Sequence, residues 1–290
     1  MDIRHILFPT DFSNLAVATE DYVRTFADRL GARVSILHAI EYPAYLYGMP
    51  PACFMETTEM DTSEKRAGET IKNVLPGFAA ERVVQTGDPA RVIKEFAEAN
   101  SVDLIMMPTH GYGLFRRALI GSVTAKTLHD VQCNVWTMAH IETHPPVPDV
   151  IPSRIVCALD LSPESVAVIK SAAQVAGRFG ATLLLTHVVG HVMSVRDEYL
   201  DDRSQSALEL QNYYVDFARE KIANFQREAG TNLDVCVEVG VVSAVLAEVV
   251  RKHQANLMVT GHGVSENLLG SVRSHGYPIV QESPCPVLRV

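Results

Sequence analysis

The sequence lacks any apolar run approaching the ~18 residues that a membrane-spanning helix needs. It also lacks a basic stripe: acidic residues outnumber basic ones by 34 to 25, and the net charge of −9 argues against a nucleic-acid partner. The first residues do not show the charged-then-apolar pattern of a secretory leader. These absences predict a cytoplasmic protein that binds neither membranes nor nucleic acids.

Cysteine is scarce, and its pattern excludes two further classes of protein. The five residues are odd in number and widely scattered, which fits neither a disulfide framework nor a metal-binding cluster: Cys53, Cys133, Cys157, Cys236 and Cys285. We predict that all five are free thiols. The chain also lacks a Ser-His-Asp arrangement with a nucleophile elbow, so we expect no dedicated catalytic group.

What the sequence does contain is an alternation of strand-like and helix-like segments. Apolar residues three or four positions apart from Leu15 to Leu30 indicate a helix with one apolar face, whereas Arg33–Ile40 is typical of a buried strand. The first half is predicted to hold strands at 4–9, 33–40, 80–86, 103–107 and 134–139 and helices at 14–30, about 60–75, 89–100 and 121–131. This order predicts an α/β, Rossmann-like fold, with a mostly parallel five-stranded sheet covered by helices on both faces.

The second half of the chain repeats the first. Asp11 and Asp160 are 149 residues apart, and later pairs of Gly, His and Cys residues keep offsets of 152 or 153. Such constant spacing indicates an internal duplication. Because a Pro-rich stretch separates the copies, we predict a first domain at 1–140, a linker at 141–153 and a second domain at 154–290.

One loop of the first domain has the composition of an anion-binding site. It follows the apolar strand at 103–107 and precedes a helix that begins near Gly121 and Ser122. Glycines allow close approach to the backbone, and the first N–H groups of a helix point outward without internal partners. The segment therefore predicts a phosphate-binding loop, although it matches neither the P-loop motif nor GxGxxG directly after the strand.

Together these residues resemble the universal stress protein family. Three segments carry the likeness: Pro9–Ser13 after the first strand, His38 near the end of the second, and Thr109–Gly111 followed nine residues later by Gly121-Ser122. The family motif is G-x-x-G, nine residues, then G-[ST]. The likeness extends over nearly the whole chain as two tandem domains.

The resemblance implies an ATP site in the first domain. In ATP-binding members the adenosine lies at the ends of strands one and two, and the phosphates lie on the motif loop and the following helix start. Carried over by position, the implied cofactor-binding residues are Thr10, Asp11, Ala39, Met107, Pro108, His110, Gly111, Gly121, Ser122 and Val123. The implied ligand is ATP, with ADP or AMP as alternatives, and no metal is expected except Mg²⁺ accompanying ATP.

Two departures from the family motif affect this expectation. Pro108 stands where the family has its first glycine, and proline has no N–H to donate. In the second domain Thr260 takes that glycine position, Arg273-Ser274 replaces Gly-Ser, and Pro278 falls inside the last helix. We therefore expect a degenerate second site and one nucleotide per chain.

Several polar residues also have purely structural interpretations. Ser13 and Ser162 are predicted N-caps of the first helix of each domain, and the carboxylate after each first strand can likewise satisfy first-turn N–H groups. His38 and His187 lie in apolar runs, which predicts hydrogen-bonded core residues. For Asp11 the structural and nucleoside-binding interpretations both remain open.

The predicted function is that of a universal stress protein, an ATP-binding regulatory module of a stress response. Two alternatives remain open: a nucleotide-free interaction protein with relic pockets, favoured by Pro108 and Arg273, and a weak ATPase supported by His110 and Asp11. The expected partners are an adenine nucleotide and the other domain. The resemblance implies that the two domains pack as a pseudo-twofold pair through their last strands, which leaves other faces for a homodimer.

Overall fold

The structure is a computed structural model that describes residues 2–41, 57–110, 120–139, 150–190, 205–262 and 276–290. The chain divides into two compact units, residues 2–151 and 152–290. Most of the predicted linker, 141–149, lies outside the described residues, so its boundaries stay a prediction.

The first unit alternates strands and helices as the sequence predicts. Its strands are β1 (His5–Pro9), β2 (Arg33–Ile40), β3 (Ala80–Thr86), β4 (Leu104–Pro108) and β5 (Asn134–Met138). Its helices are α1 (Asn14–Leu30), α2 (Thr57–Thr70), which continues into a short 3₁₀ turn (Ile71–Asn73), α3 (Pro89–Ala99) and α4 (Ser122–Asp130).

The sheet of the first unit has the strand order β3-β2-β1-β4-β5, and neighbouring strands are parallel. The chain moves outward from β1 to β3 and then returns to place β4 on the other side of β1. This reversal of direction is the point at which open α/β sheets place their ligands, beyond the carboxyl ends of the strands.

The second unit has the same architecture. Its strands are β6 (Arg154–Ala158), β7 (Thr182–Val189), β8 (Asp234–Val239), β9 (Leu257–Thr260) and β10 (Val287–Arg289), and its helices are α5 (Ser165–Phe179), α6 (Gln205–Ala229), α7 (Val242–Lys252) and α8 (Gly276–Glu282). The sheet order β8-β7-β6-β9-β10, again with parallel pairings, repeats that of the first unit. The predicted α/β fold class is confirmed in both units.

Local sequence signals explain how the first helix begins and ends. Ser13 Oγ accepts a hydrogen bond from Ala16 N at 3.2 Å, which confirms the predicted N-cap. At the other end Gly31 adopts a left-handed conformation with φ of 67°, and its N–H donates to Ala27 O. The core of the unit lies beneath this helix, where the fully buried Trp136 ring contacts Tyr22 with a centroid distance of 4.8 Å.

The predicted N-cap of the corresponding helix in the second unit is wrong. Helix α5 begins at Ser165, and Glu164 occupies the cap position without a side-chain hydrogen bond. Ser162 is held instead by Asp160, whose Oδ1 accepts from Ser162 N at 3.0 Å and from Ser162 Oγ at 2.6 Å. The carboxylate therefore fixes a turn that delays the start of the helix by two residues.

The four described cysteines are free thiols, as predicted, and Cys53 lies outside the described residues. Burial raises the pKa of the Cys157 and Cys285 thiols to about 12, so both behave as apolar core residues. No helix in the described part of the chain is long and apolar enough to cross a membrane.

A buried histidine links three strands at the amino-terminal edge of the first sheet. His5 Nε2 lies 2.8 Å from Ser35 Oγ, and the Ser35 hydroxyl donates to Glu81 Oε2 at 2.8 Å. The Nε2 atom therefore carries the proton, and Nδ1 accepts from Arg33 Nη2 at 3.0 Å. Burial lowers the pKa of His5 and outweighs the Asn100 carbonyl, which favours the charged ring.

We expect acid to destabilise the protein through His5. Its folded-state pKa lies below the ordinary value of 6.5, because burial lowers it and the Arg33 charge adds to that effect. The nearby carboxylates of Glu81 and Asp103 raise the pKa but are outweighed. The unfolded chain then binds more protons than the folded one. The contribution of His5 to the free energy of unfolding is therefore complete above pH 6.5 and is lost as the pH falls. Urea unfolding between pH 7.5 and 5.5 should show a shallower decline for His5→Gln. A slope unchanged from the wild type would contradict this, and His253→Gln, at an exposed histidine, is the control.

Candidate functional site

The space beyond the carboxyl ends of β1 and β4, where the strand order reverses, is called the crevice below. Pairing of β4 with β1 runs through Leu104 and Ile105 and then stops, whereas its pairing with β5 continues to Pro108. On the other side, β1 stays joined to β2, since Thr10 N donates to Leu37 O at 2.9 Å. On the β4 side Pro9 has no N–H to continue the ladder past Leu7, so the pairing of β1 with β4 ends at the reversal of strand order, where open α/β sheets place their ligands.

The loop after β1 forms one wall of this crevice. Asp11 Oδ1 accepts from Ser13 N at 3.0 Å, and Thr10 Oγ1 accepts from Phe12 N at 3.1 Å. These bonds stabilise a positive φ of 63° at Phe12, a conformation that bulky L-residues rarely adopt. Asp11 therefore has a structural role, in the turn before the helix rather than at a first-turn N–H as predicted, and its half-exposed carboxylate can still face a ligand.

The end of β2 supports that loop. His38 Nδ1 lies 2.8 Å from Thr10 O, so the ring donates to this carbonyl, and the ring stacks on Phe12 at a centroid distance of 4.2 Å. The predicted hydrogen bond of His38 is confirmed, although its side chain is half-buried at the end of the strand rather than in the core. Ala39 follows in the same strand, half-buried, beside the loop that holds Asp11.

The end of β4 forms the opposite wall. Met107 and Pro108 are buried in the strand, and Thr109 N donates to Met138 O of β5 at 3.2 Å. The Thr109 hydroxyl lies 3.1 Å from the same carbonyl and 2.8 Å from His110 Nδ1. This places His110 at the mouth of the crevice, on a turn fixed by two contacts to the last strand.

Gly121 lies directly against the end of β4. Its N–H donates to Thr109 O at 2.8 Å, and a Cβ added there would come within 2.9 Å of that same oxygen. Only glycine permits this approach, and the fit explains the motif glycine without reference to a ligand. Because its own N–H is already donated to Thr109 O, the N–H groups that point out of the helix start belong to Ser122 and Val123.

The start of α4 differs from the other helix starts of the first unit whose caps are described. Ser13 caps α1, and Asp88 caps α3 by accepting from Arg91 N at 3.0 Å. Helix α4 has Gly121 at its N-cap and no side-chain cap bond. Ser122 is exposed there and Val123 half-buried. The positive end of this helix dipole is therefore left for an anion.

All the described residues of the predicted site thus lie at one edge of the first sheet. Gly111, the remaining predicted contact, lies outside the described residues, as do Arg273 and Ser274 of the second unit. Within the described ranges no three His, Cys, Asp or Glu side chains are grouped to hold a metal ion.

Sequence reasoning missed two residues that shape the site. Thr124 Oγ1 donates to Pro108 O at 3.0 Å and so ties α4 to β4 a second time. Phe12 supplies the left-handed turn and the ring that packs on His38. The Thr124 hydroxyl, in the first turn of a helix that follows a glycine, was a usable signal in the sequence. Nothing in the local sequence marks Phe12.

The corresponding loop of the second unit keeps the same backbone design. Leu161 has a φ of 61°, and His187 Nδ1 lies 2.8 Å from Leu159 O, which confirms the predicted hydrogen bond of the half-buried His187. Burial raises the pKa of Asp160, but hydrogen bonds from Ser162 and Ser165 outweigh it and hold the pKa below its ordinary value. The first half of the crevice is therefore built alike in both units.

A parallel α/β sheet with a crevice and an uncapped helix at its reversal point defines a class of ligand-binding, Rossmann-like domains. The comparisons with known proteins are more specific. A sequence model of the universal stress protein family matches residues 2–138 and 152–290. The chain belongs to the universal stress protein family and carries its domain twice.

Curated relatives agree with this assignment, and a solved structure agrees with the fold. A universal stress protein of Methanocaldococcus jannaschii is 29% identical over 144 residues, which cover 43% of this chain and 88% of that protein. A universal stress protein of Thermus aquaticus is 31% identical over 135 residues, which cover 45% of this chain and 94% of that protein. The crystal structure of a universal stress protein from Archaeoglobus fulgidus matches 98% of this chain and 95% of its own, with a TM-score of 0.67 at 20% identity.

Proposed function

We propose that the first unit binds one adenine nucleotide, ATP before ADP or AMP, and that occupancy regulates the protein in a stress response. The nucleoside would lie against Asp11 and Ala39, and the phosphates would reach the start of α4. Family membership and the crevice between β1 and β4 support this assignment.

The observation that carries the proposal is the uncapped start of α4 beside the crevice. Gly121 brings the helix within hydrogen-bonding distance of Thr109 O and leaves Ser122 and Val123 as the outward N–H donors. Two or three charge-assisted hydrogen bonds of about 1.5–3 kcal/mol each would hold a polyphosphate there. The Ser122 hydroxyl adds a further donor.

Occupancy would act by population shift. A ligand changes the conformation or partner choice of a protein only as far as it binds two states with different affinity. Since the walls of the crevice come from different elements, the β1 loop and the start of α4, a nucleotide that contacts both favours states in which they are close. The protein is thus proposed as a binding module rather than an enzyme.

The second unit, proposed as a domain spanning 154–290, would remain empty. Thr260 stands at the first motif position, and Arg273 replaces the glycine that corresponds to Gly121. A long side chain at that position cannot reproduce the close approach that Gly121 makes in the first unit. The pairing of the two units through their last strands stays a prediction.

The test is calorimetric titration of the purified, nucleotide-stripped protein with ATP, ADP and AMP. We expect one site per chain, the tightest binding with ATP, and unchanged stoichiometry in Arg273→Gly. Mass spectrometry of the nucleotide released on denaturation identifies any ligand that co-purifies. Two sites per chain would refute the asymmetry, and no binding of any nucleotide would favour the interaction protein with relic pockets. ATP turnover that is lost in Asp11→Ala or His110→Ala would favour the weak ATPase.

A further inference from the structure

Helix α6 carries an exposed apolar stripe. Of the eight large apolar side chains that are well exposed in the described part of the chain, five lie on this helix. Four of them, spaced i, i+3, i+4 and i+7 and so on one face, form what we call the α6 stripe: Leu210, Tyr213, Tyr214 and Phe217. The buried side of the same helix is formed by other residues, among them Ala218, Ile222 and Phe225.

The side chains of the α6 stripe are ordered against one another. The rings of Tyr213 and Phe217 stack with an interplanar angle of 21°, and Tyr213 meets Tyr214 edge-on at 5.6 Å between centroids. Lys221 Nζ lies 5.9 Å from the Phe217 ring centroid and closes the stripe at its carboxyl end. Aromatic side chains arranged in this way are typical of the centres of protein interfaces.

The repeated fold itself does not require this stripe. The left-handed glycines that follow α2 and α6, Gly77 and Gly230, set an offset of 153 residues between the two helices. At that offset the four stripe positions correspond in the first unit to Thr57, Met60, Asp61 and Glu64. The duplication thus provides an internal comparison, and the second unit alone has apolar residues at all four positions.

The charges beside the α6 stripe differ on its two sides. By helical spacing, one side carries the carboxylates of Glu209, Asp216 and Glu220, whereas Lys221 lies just across the midline. Asp216 Oδ1 lies 3.5 Å from Arg219 Nη1 one turn further on, an exposed ion pair that contributes little to stability and can be exchanged for an intermolecular pair. Two helices related by a two-fold axis along their length run parallel, and the acidic side of each then faces the basic side of the other. An antiparallel pair would place acid against acid.

We propose that the α6 stripe binds a second copy of this chain, with the two α6 helices parallel and Asp216 of each against Lys221 of the other. The four side chains of the α6 stripe offer roughly 400 Å² of apolar surface, within the range of the largest patch on a monomer. A standard interface buries about 800 Å² per partner, so the stripe supplies about half of what a dimer needs and its charged rims supply the rest.

The first test is the oligomeric state of the full chain, measured by sedimentation equilibrium. We expect a dimer whose Kd rises at least about 10-fold in Tyr213→Ser and in Phe217→Ser. The matched control is Val17→Ser, which changes a similarly exposed apolar residue on α1 and should leave the Kd unchanged. Tyr213 is 63% exposed, so its variant should keep the wild-type Tm even if Phe217→Ser does not.

The second test addresses the orientation of the helices. Asp216→Lys and Lys221→Asp should each raise the Kd several-fold, and the double variant should restore it, because the opposite charges face each other again. Tighter association in Asp216→Lys would instead indicate antiparallel helices and overturn the parallel pair. A monomer at 100 µM, or a dimer that Tyr213→Ser leaves unchanged, would overturn the proposal and assign the stripe to another occupant, such as residues 191–204.

Discussion

Gly121→Arg is expected to abolish ATP binding, with a loss in affinity of at least about 100-fold. Any Cβ at this position would lie 2.9 Å from Thr109 O, so the start of α4 must move away from β4. The hydrogen bond from Gly121 N to Thr109 O, now 2.8 Å, would lengthen, and the N–H groups of Ser122 and Val123 would leave the crevice. Loss of two charge-assisted hydrogen bonds of about 1.5–3 kcal/mol each accounts for this effect.

The matched control is Gly68→Arg. Gly68 lies in α2 of the same unit, and a Cβ added there meets nothing within 4 Å, so the same substitution should leave ATP affinity within about twofold of the wild type. Gly121→Ala separates the two causes, because it introduces the contact with Thr109 O without the long charged side chain. Calorimetric titration gives the affinities and thermal unfolding verifies the fold. Wild-type affinity in Gly121→Arg would show that the ligand lies elsewhere.

The elements of the fold could be predicted because each has a local cause. Strand β2 was predicted at 33–40 from a mostly apolar run, and it spans Arg33–Ile40. Helix α1 was placed at 14–30 by its apolar spacing and by Ser13 and Gly31 at its ends, and it spans Asn14–Leu30. The predicted start of the helix after β6 is two residues too early, because Asp160 binds Ser162 in a turn that competes with capping.

The candidate site was less accessible to sequence reasoning, since its geometry depends on contacts between distant segments. The resemblance implied that Gly121 contacts phosphate, whereas the structure shows a glycine required by the carbonyl of Thr109. The left-handed turn at Phe12 places its ring against His38 of β2, with centroids 4.2 Å apart, a contact that the local sequence does not reveal. The bond between His5 and Ser35 likewise depends on the register of β1 against β2.

Pro108 is tolerated in a central strand because its nitrogen faces the crevice. Successive residues of a strand direct their N–H groups to opposite neighbours, and Thr109 N donates to Met138 O of β5. The nitrogen of Pro108 therefore points toward β1, beyond the last pairing between the two strands at Leu7 and Ile105. No ladder hydrogen bond is lost there, and the crevice lacks a donor that any other residue would supply.

Pro108→Gly and Pro108→Ala should both tighten ATP binding, by about 3- to 10-fold. Each variant restores an N–H that faces the crevice, and a net hydrogen bond contributes about 0.5–1.5 kcal/mol. The alanine variant separates the new donor from added backbone flexibility, since only glycine brings both. Titration calorimetry of the two variants beside the wild type measures the gain. If both bind ATP with wild-type affinity, the ligand makes no contact with the end of β4. If glycine alone tightens binding, flexibility rather than the restored N–H is the cause.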